Sequence, residues 1–358
     1  MNKSTVDSSI KTKERNRTAD LAKGLAIVFM VQVHVIELFA EQEIFKSAVG
    51  KISLFVGGPS CAPVFMAVMG YFVYLSKKSW AENSKRGLTL IIGGLILNIG
   101  LNLHLLIRIY NGELDINPWH YVFGADILPL AGLSVIALAF LKKIFNKNLI
   151  PYIVAIPLIL FLSHLLPDLS NNPESPLTYI QAFFYGRVEW SYFPFFPWFI
   201  YPLAGFIFSI ISKEYSYFLN SKLKITVIII SGIIILFTLE YGLNISHDLQ
   251  SYYHHNEVFV LWVFAFLVIW IFCLNFLLQK AGNNILWKYL TWLGKNVTAV
   301  YVFQWLVIGN IATSVYKTQS LIHSVIWFIG IMSVVSIFVY LYDKYLAEKL
   351  TIKFSFPL

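Results

Sequence analysis

Ten apolar runs, separated by short polar stretches, set the pattern of this chain: 22–40, 53–76, 87–107, 120–141, 148–166, 196–212, 224–243, 257–279, 291–313 and 321–341. Each is close to the roughly 20 residues that an α-helix needs to cross a bilayer. The runs are continuous rather than alternating, which excludes a β-barrel. The expected fold class is therefore all-α, a polytopic integral membrane protein of about ten transmembrane helices. Residues 1–17 are polar and charged and are expected to form a disordered cytosolic arm. Residues 18–358 would be a single transmembrane domain. The first run is too long for a signal-peptide core, and no small-residue cleavage site follows it, so it should remain as the first helix.

Composition strengthens this picture. Of 358 residues, 58% are hydrophobic and only 13% are charged, which no water-soluble fold could bury. The formal charge of +8 would suggest nucleic acid in a soluble protein. Here it reads as topology. With the N-terminus placed in the cytosol, 22 of the 27 basic residues fall on the cytosolic side, but only seven of the 19 acids. The positive-inside rule then places both termini in the cytosol, with no nucleic acid as a partner. The Lys, Asn and Ile content suits a bacterial inner membrane. Cys61 and Cys273 lie in expected spans and form no metal-ligand spacing.

Ionisable groups inside a membrane are costly and become the first functional candidates. In the first run, Asp20, Lys23 and His34 share one helical face at 100° per residue. Lys23 and His34 are separated by about 16 Å along the axis. A cation thus sits at the cytosolic end and an imidazole deep in the membrane, with an apolar stripe between them. Asp20 also suits a helix N-terminus, and Lys23 an inside-positive anchor. Glu37 lies one turn beyond His34, within reach as its partner. Asp126, six residues into the fourth span, is the preferred acid partner of His34, with a structural ion pair as its alternative. Glu240, late in the seventh span, is a further intramembrane acid; either acid could pair with Arg108. Trp119 and His120 open the fourth span on the outer side, where an acceptor could enter. The aromatic-rich stretch ending in Phe196-Pro197-Trp198 suits either an interfacial belt or a surface that stacks on sugar rings. His247, His254 and His255 are too weakly patterned for a metal site, and no metal is expected. Asn296 and Gln304 are polar positions of the ninth span that helix–helix hydrogen bonds would explain.

The string Asp20-Leu-Ala-Lys23-Gly24, followed by His34, resembles the first-helix motif of the transmembrane acyltransferase superfamily. That group includes acyltransferase family 3 and the heparan-α-glucosaminide N-acetyltransferase-like proteins. Segments 61–79, 122–134, 196–209 and 290–309 resemble further motifs of the group, in the same order. Lys23 stands where family 3 proteins usually carry Arg, and Gln304 where many relatives carry His. The resemblance implies transfer of an acetyl or other short acyl group from cytosolic acetyl-CoA to a carbohydrate on the other side. His34 would be general base or transient acyl carrier, with Asp126 or Glu37 beside it. Lys23, Asp20, Lys77, Lys78, Lys85, Arg86 and Lys295 would line the phosphate site, with the pantetheine arm along the apolar stripe of the first helix. His120, Trp119, Trp198 and Gln304 would contact the acceptor. Membrane lipids are the surrounding partners, and a homodimer is left open. A proton-coupled transporter of a sugar or lipid-linked glycan would use similar intramembrane groups, and an inactive scaffold is a third reading.

Overall fold

The computed structural model describes residues 16–166, 175–280 and 284–346, together with the backbone alone at Phe218 and Leu346. Most of the expected cytosolic arm, and Lys349 and Lys353, lie outside the described residues. The first helix, α1, runs Arg17–Leu38 and starts at Asn16, whose side chain accepts the Ala19 N–H. It is followed by α2 (Ala48–Gly57), α3 (Ala62–Leu75) and α4 (Trp80–Leu101). A short helix, α5 (Pro118–Val122), precedes α6 (Ile127–Phe145) and α7 (Leu149–Leu165). Then come α8 (Ile200–Glu214), α9 (Ser221–Phe237), α10 (Leu239–His247) and α11 (Glu257–Lys280). The last three are α12 (Ile285–Lys295), α13 (Val297–Val315) and α14 (Leu321–Leu341). No strand occurs among the described residues, apart from one isolated bridge between Ala40 and Gln319.

All ten expected runs fall on helices, but they are not ten uniform spans. By length and composition, eight helices among the described residues are able to cross a membrane, counting α2 with α3 as one, and the α9–α10 pair makes a ninth. The fifth run, α7, has 17 residues, fewer than the helices counted as spans. The seventh run bends by 65° between α9 and α10. At the bend, the Thr238 hydroxyl donates back to the Ile234 carbonyl and accepts the Trp262 indole N–H at 3.0 Å. A hydroxyl that bonds its own helix in this way loosens the ladder and favours a bend. Glu240 is thereby carried to an exposed position beyond the bend. The fourth run starts later than expected, because Asp126 ends the preceding loop and α6 begins at Ile127.

Three helix pairs meet through glycines that face each other. A Cβ on Gly24 would strike the Leu290 carbonyl, and one on Gly294 would strike the Asp20 carbonyl, so α1 and α12 touch backbone to backbone. Gly70 and Gly205 bring α3 against α8, and Gly87 and Gly132 bring α4 against α6. In lipid, apolar side chains gain little by leaving hydrocarbon for one another, so close backbone approach at small residues carries helix association. All four segments that hold the first two pairs carry the motifs of the resemblance.

Trp198 belongs to this framework. Its ring is fully buried, and its indole N–H donates to the Tyr253 carbonyl at 2.8 Å. Beside it, His255 lies between the Tyr252 carbonyl and the Tyr201 hydroxyl, at 2.7 and 2.8 Å. A carbonyl only accepts, so Nδ1 carries the proton and Nε2 accepts from Tyr201. Burial pushes the His255 imidazole down to about 4 from its usual 6.5.

Two outcomes follow from this packing. Gly294→Val should destabilise the detergent-solubilised protein by more than the ~1–3 kcal/mol of ordinary overpacking, because carbonyl backbone cannot yield as a side chain does; thermal unfolding reads this. Between pH 6.5 and 4 the unfolded chain binds a proton at His255 that the folded chain does not, so stability should fall as pH drops through that window. The loss should be on the order of 3 kcal/mol, and His255→Gln should flatten the slope.

Candidate active site

A cavity of about 640 Å³ opens beside the far end of α1. His34 and Glu37 contribute to its wall from α1, Tyr301 and Trp305 from α13, and Asp126 from the start of α6. The break between α2 and α3 lies on the same wall at Gly57, Gly58 and Cys61. Backbone pairing fixes the end of α1 against the loop after α13. Lys317 N–H donates to the Leu38 carbonyl, Gln319 N–H to Phe39, and Glu41 N–H to Gln319, at 2.8–3.0 Å.

The His34 ring rests against Trp305, with ring centroids 4.2 Å apart. Its Nδ1 faces Glu37 Oε2 at 3.3 Å, a loose contact between groups one turn apart. A carboxylate accepts, so in the neutral ring Nδ1 carries the proton and Nε2 is left as the basic nitrogen.

Asp126 is occupied differently from the expectation. Its Oδ1 accepts the Ile127 N–H at 2.7 Å, capping α6, and its Oδ2 accepts the Tyr301 hydroxyl at 2.8 Å. Asp at an N-cap satisfies an orphan helix donor, which is why α6 starts here rather than at His120. Asp126 shares the cavity with His34, but the hydrogen-bonded acid partner of His34 is Glu37. Arg108, also on the cavity wall, bonds Glu113 at 2.9 Å and the Thr313 carbonyl at 3.3 Å rather than Asp126 or Glu240.

The other sequence-derived candidates divide by position. His120 lines the cavity and stacks on Trp190, centroids 3.9 Å apart. Its neighbour Trp119 is 54% exposed and faces an outer groove with Phe123, away from the cavity. Trp198 is away from the cavity as well, in the framework described above. Gln304 is fully buried off the cavity wall, and neither amide atom has a hydrogen-bond partner among the described residues. Consecutive helical residues are 100° apart, so a helix that turns Tyr301 and Trp305 to the cavity turns Gln304 away.

At the opposite end of α1, Lys23 is 1% exposed and pairs with Asp20 at 3.1 Å. Its ammonium lies 6.0 Å from the Phe72 ring of α3. Lys77 and Lys78 follow the end of α3, and Lys295 ends α12 beside the Gly294 crossing; all three are exposed. Lys85 is exposed too, and the half-buried Arg86 donates to Asn83 at 3.2 Å. Lys142 donates to the Tyr74 and Ser76 carbonyls at 2.6 and 3.0 Å, capping α3. The expected apolar stripe between Lys23 and His34 is not open. Ile27 and Val31 are fully buried within the core and are not on the wall of the large cavity, which Met30, nearer His34, reaches.

Tyr301, Trp305 and the wall tyrosines Tyr192 and Tyr253 were not picked out from the sequence. The Tyr301–Trp305 spacing of four, one helical turn, was the available signal, but it is equally the spacing of ordinary core residues. Asp126→Ala removes two hydrogen bonds and should cost about 2 kcal/mol or more in thermal unfolding, whereas Tyr301→Phe removes one and should cost about 1 kcal/mol.

Comparison with curated proteins and with solved structures returns no match. A family model described as an acyltransferase domain, that of acyltransferase family 3, matches residues 16–343, nearly the whole chain. With a helical membrane fold and a family match of that length, the chain belongs to acyltransferase family 3 and is an integral membrane acyltransferase.

Proposed function

We propose that the protein moves an acetyl or other short acyl group from cytosolic acyl-CoA to a carbohydrate acceptor on the far side of the membrane. The observation that carries this reading is the His34 ring, set on a cavity wall with Glu37 at Nδ1 and Trp305 against its face. His34 Nε2 takes the proton of the acceptor hydroxyl or amine as that atom attacks the thioester carbonyl carbon. The tetrahedral adduct collapses with cleavage of the C–S bond, and the leaving thiolate takes the proton back from His34. Glu37 keeps the ring in the required tautomer and offsets the charge of the imidazolium.

The wall chemistry supports a sugar acceptor. Tyr192, Tyr253 and the His120–Trp190 stack offer flat apolar faces with polar edges, the surfaces that the pyranose ring favours. At the other end of α1, the exposed Lys77, Lys78 and Lys295 suit the donor phosphates, with Arg86 beside them. Lys23 is already paired with Asp20, so in this reading the two position that end of the site. The charge distribution along the sequence supports cytosolic termini and a plasma membrane location.

The test uses purified protein in detergent for binding and membrane vesicles with labelled acetyl-CoA for transfer. His34→Ala should lower transfer by about 10²–10⁴-fold while acetyl-CoA binding, read by calorimetry, is retained. Glu37→Gln should lower transfer less, and Lys77→Ala with Lys78→Ala should weaken acetyl-CoA binding. Undiminished transfer in His34→Ala, or no acetyl-CoA binding by folded wild-type protein, would overturn the reading.

A further inference from the structure

A second, much smaller space of about 50 Å³ lies between α3, α6 and α13. Phe65, Ile127 and Tyr301 line both this crevice and the large cavity, so the two meet at those three residues. Beyond the junction the walls are apolar, with Met66 and Met69 from α3 and Ala131 from α6. Thr298, on the first turn of α13, adds a polar side chain to the lining. The Tyr301 hydroxyl is held by Asp126 at 2.8 Å, which fixes its ring at the junction. Tyr301 also stands one helical turn before Trp305, the ring against His34.

We propose that this crevice is the binding site for the acyl tail of the donor and sets the length of the group transferred. The assignment rests on the acyl-CoA reading above. A thioester carbonyl placed at His34 must direct its hydrocarbon end somewhere. Tyr192, Tyr253 and the charged groups Glu37, Asp126 and Arg108 interrupt the apolar wall of the large cavity, whereas the crevice is apolar apart from Thr298 and Tyr301 and opens one turn from the His34–Trp305 contact. A water-sized atom needs about 10–15 Å³ of such space, so the crevice holds a tail of about three or four carbons. Met66 and Met69, flexible and unbranched, line the crevice and adapt to tails of different length. Ala131, the smallest wall residue named here, controls its width.

The test measures CoA release by the full-length protein in native membrane vesicles, which supply the acceptor, with acetyl-, butyryl-, hexanoyl- and octanoyl-CoA, for wild type, Ala131→Leu and Met69→Ala. Wild type should use acetyl and butyryl donors and lose roughly 10-fold or more once the chain exceeds the crevice. Ala131→Leu should retain acetyl turnover and lose butyryl by about 10-fold or more. Met69→Ala should move the cut-off to longer chains, and because it only removes atoms it reads the same site without crowding. A loss of equal size for every donor in Ala131→Leu, with the Met69→Ala cut-off unmoved, would overturn the assignment while leaving the acyltransferase reading intact. No turnover of any donor by folded wild-type protein would overturn both.

Discussion

Backbone contact at both ends of α1 is the constraint on which the site depends. At one end Gly24 and Gly294 let α1 lie against α12 with no side chain between them. At the other, residues 38–41 pair with 317–319 through main-chain hydrogen bonds. Contacts of this kind leave little freedom in helix register, since a shift of one residue would drive a Cβ into a carbonyl. The imidazole of His34 is therefore placed against Trp305 by packing that lies a full helix length away as well as by its immediate neighbours. The same device repeats where Gly70 meets Gly205 and Gly87 meets Gly132. In a solvent as apolar as the side chains themselves, such approach supplies what hydrophobic burial supplies in water.

Around that fixed helix, the breaks in other helices make the cavity. The interruption between α2 and α3 puts Gly57, Gly58 and Cys61 on the wall. Asp126 ends a loop and starts α6, so its carboxylate reaches the cavity while capping a helix. Irregular backbone at membrane depth is tolerated where it is enclosed by protein or lines a cavity, and these breaks meet that condition. The two acids that share the cavity wall with His34 thus have separate duties. Glu37 meets Nδ1 of His34, and Asp126 ties α6 to α13 through Tyr301.

Much of the fold was legible because lipid imposes a simple rule on sequence: each crossing must be an apolar run that satisfies its own backbone. All ten runs fall on helices for that reason. The departures are local and have local causes. Thr238 bends the seventh run, Asp126 caps the fourth, and α7 is short. The candidate site was partly legible as well. His34 and Glu37 stand one turn apart on a helix, so their contact followed from periodicity alone. Trp198 and Gln304 did not yield to the same reasoning. An aromatic or amide in an apolar run looks alike whether it lines a cavity or fills a core.

By itself, then, the sequence determined a helical membrane protein, the face shared by Asp20, Lys23 and His34, and the glycines and motifs that mark its family. Those are properties of single helices and their spacing, fixed by 3.6 residues per turn and by the cost of polar groups in lipid. Only the tertiary structure decided that Glu37 rather than Asp126 meets His34, and that Trp119 faces outward while His120 faces in. It also decided that the stripe between Lys23 and His34 is packed shut at Ile27 and Val31 while a crevice opens between α3, α6 and α13. Each of these is a relation between side chains on different helices. Periodicity orients a residue about its own axis, and it carries no information on which neighbour stands opposite.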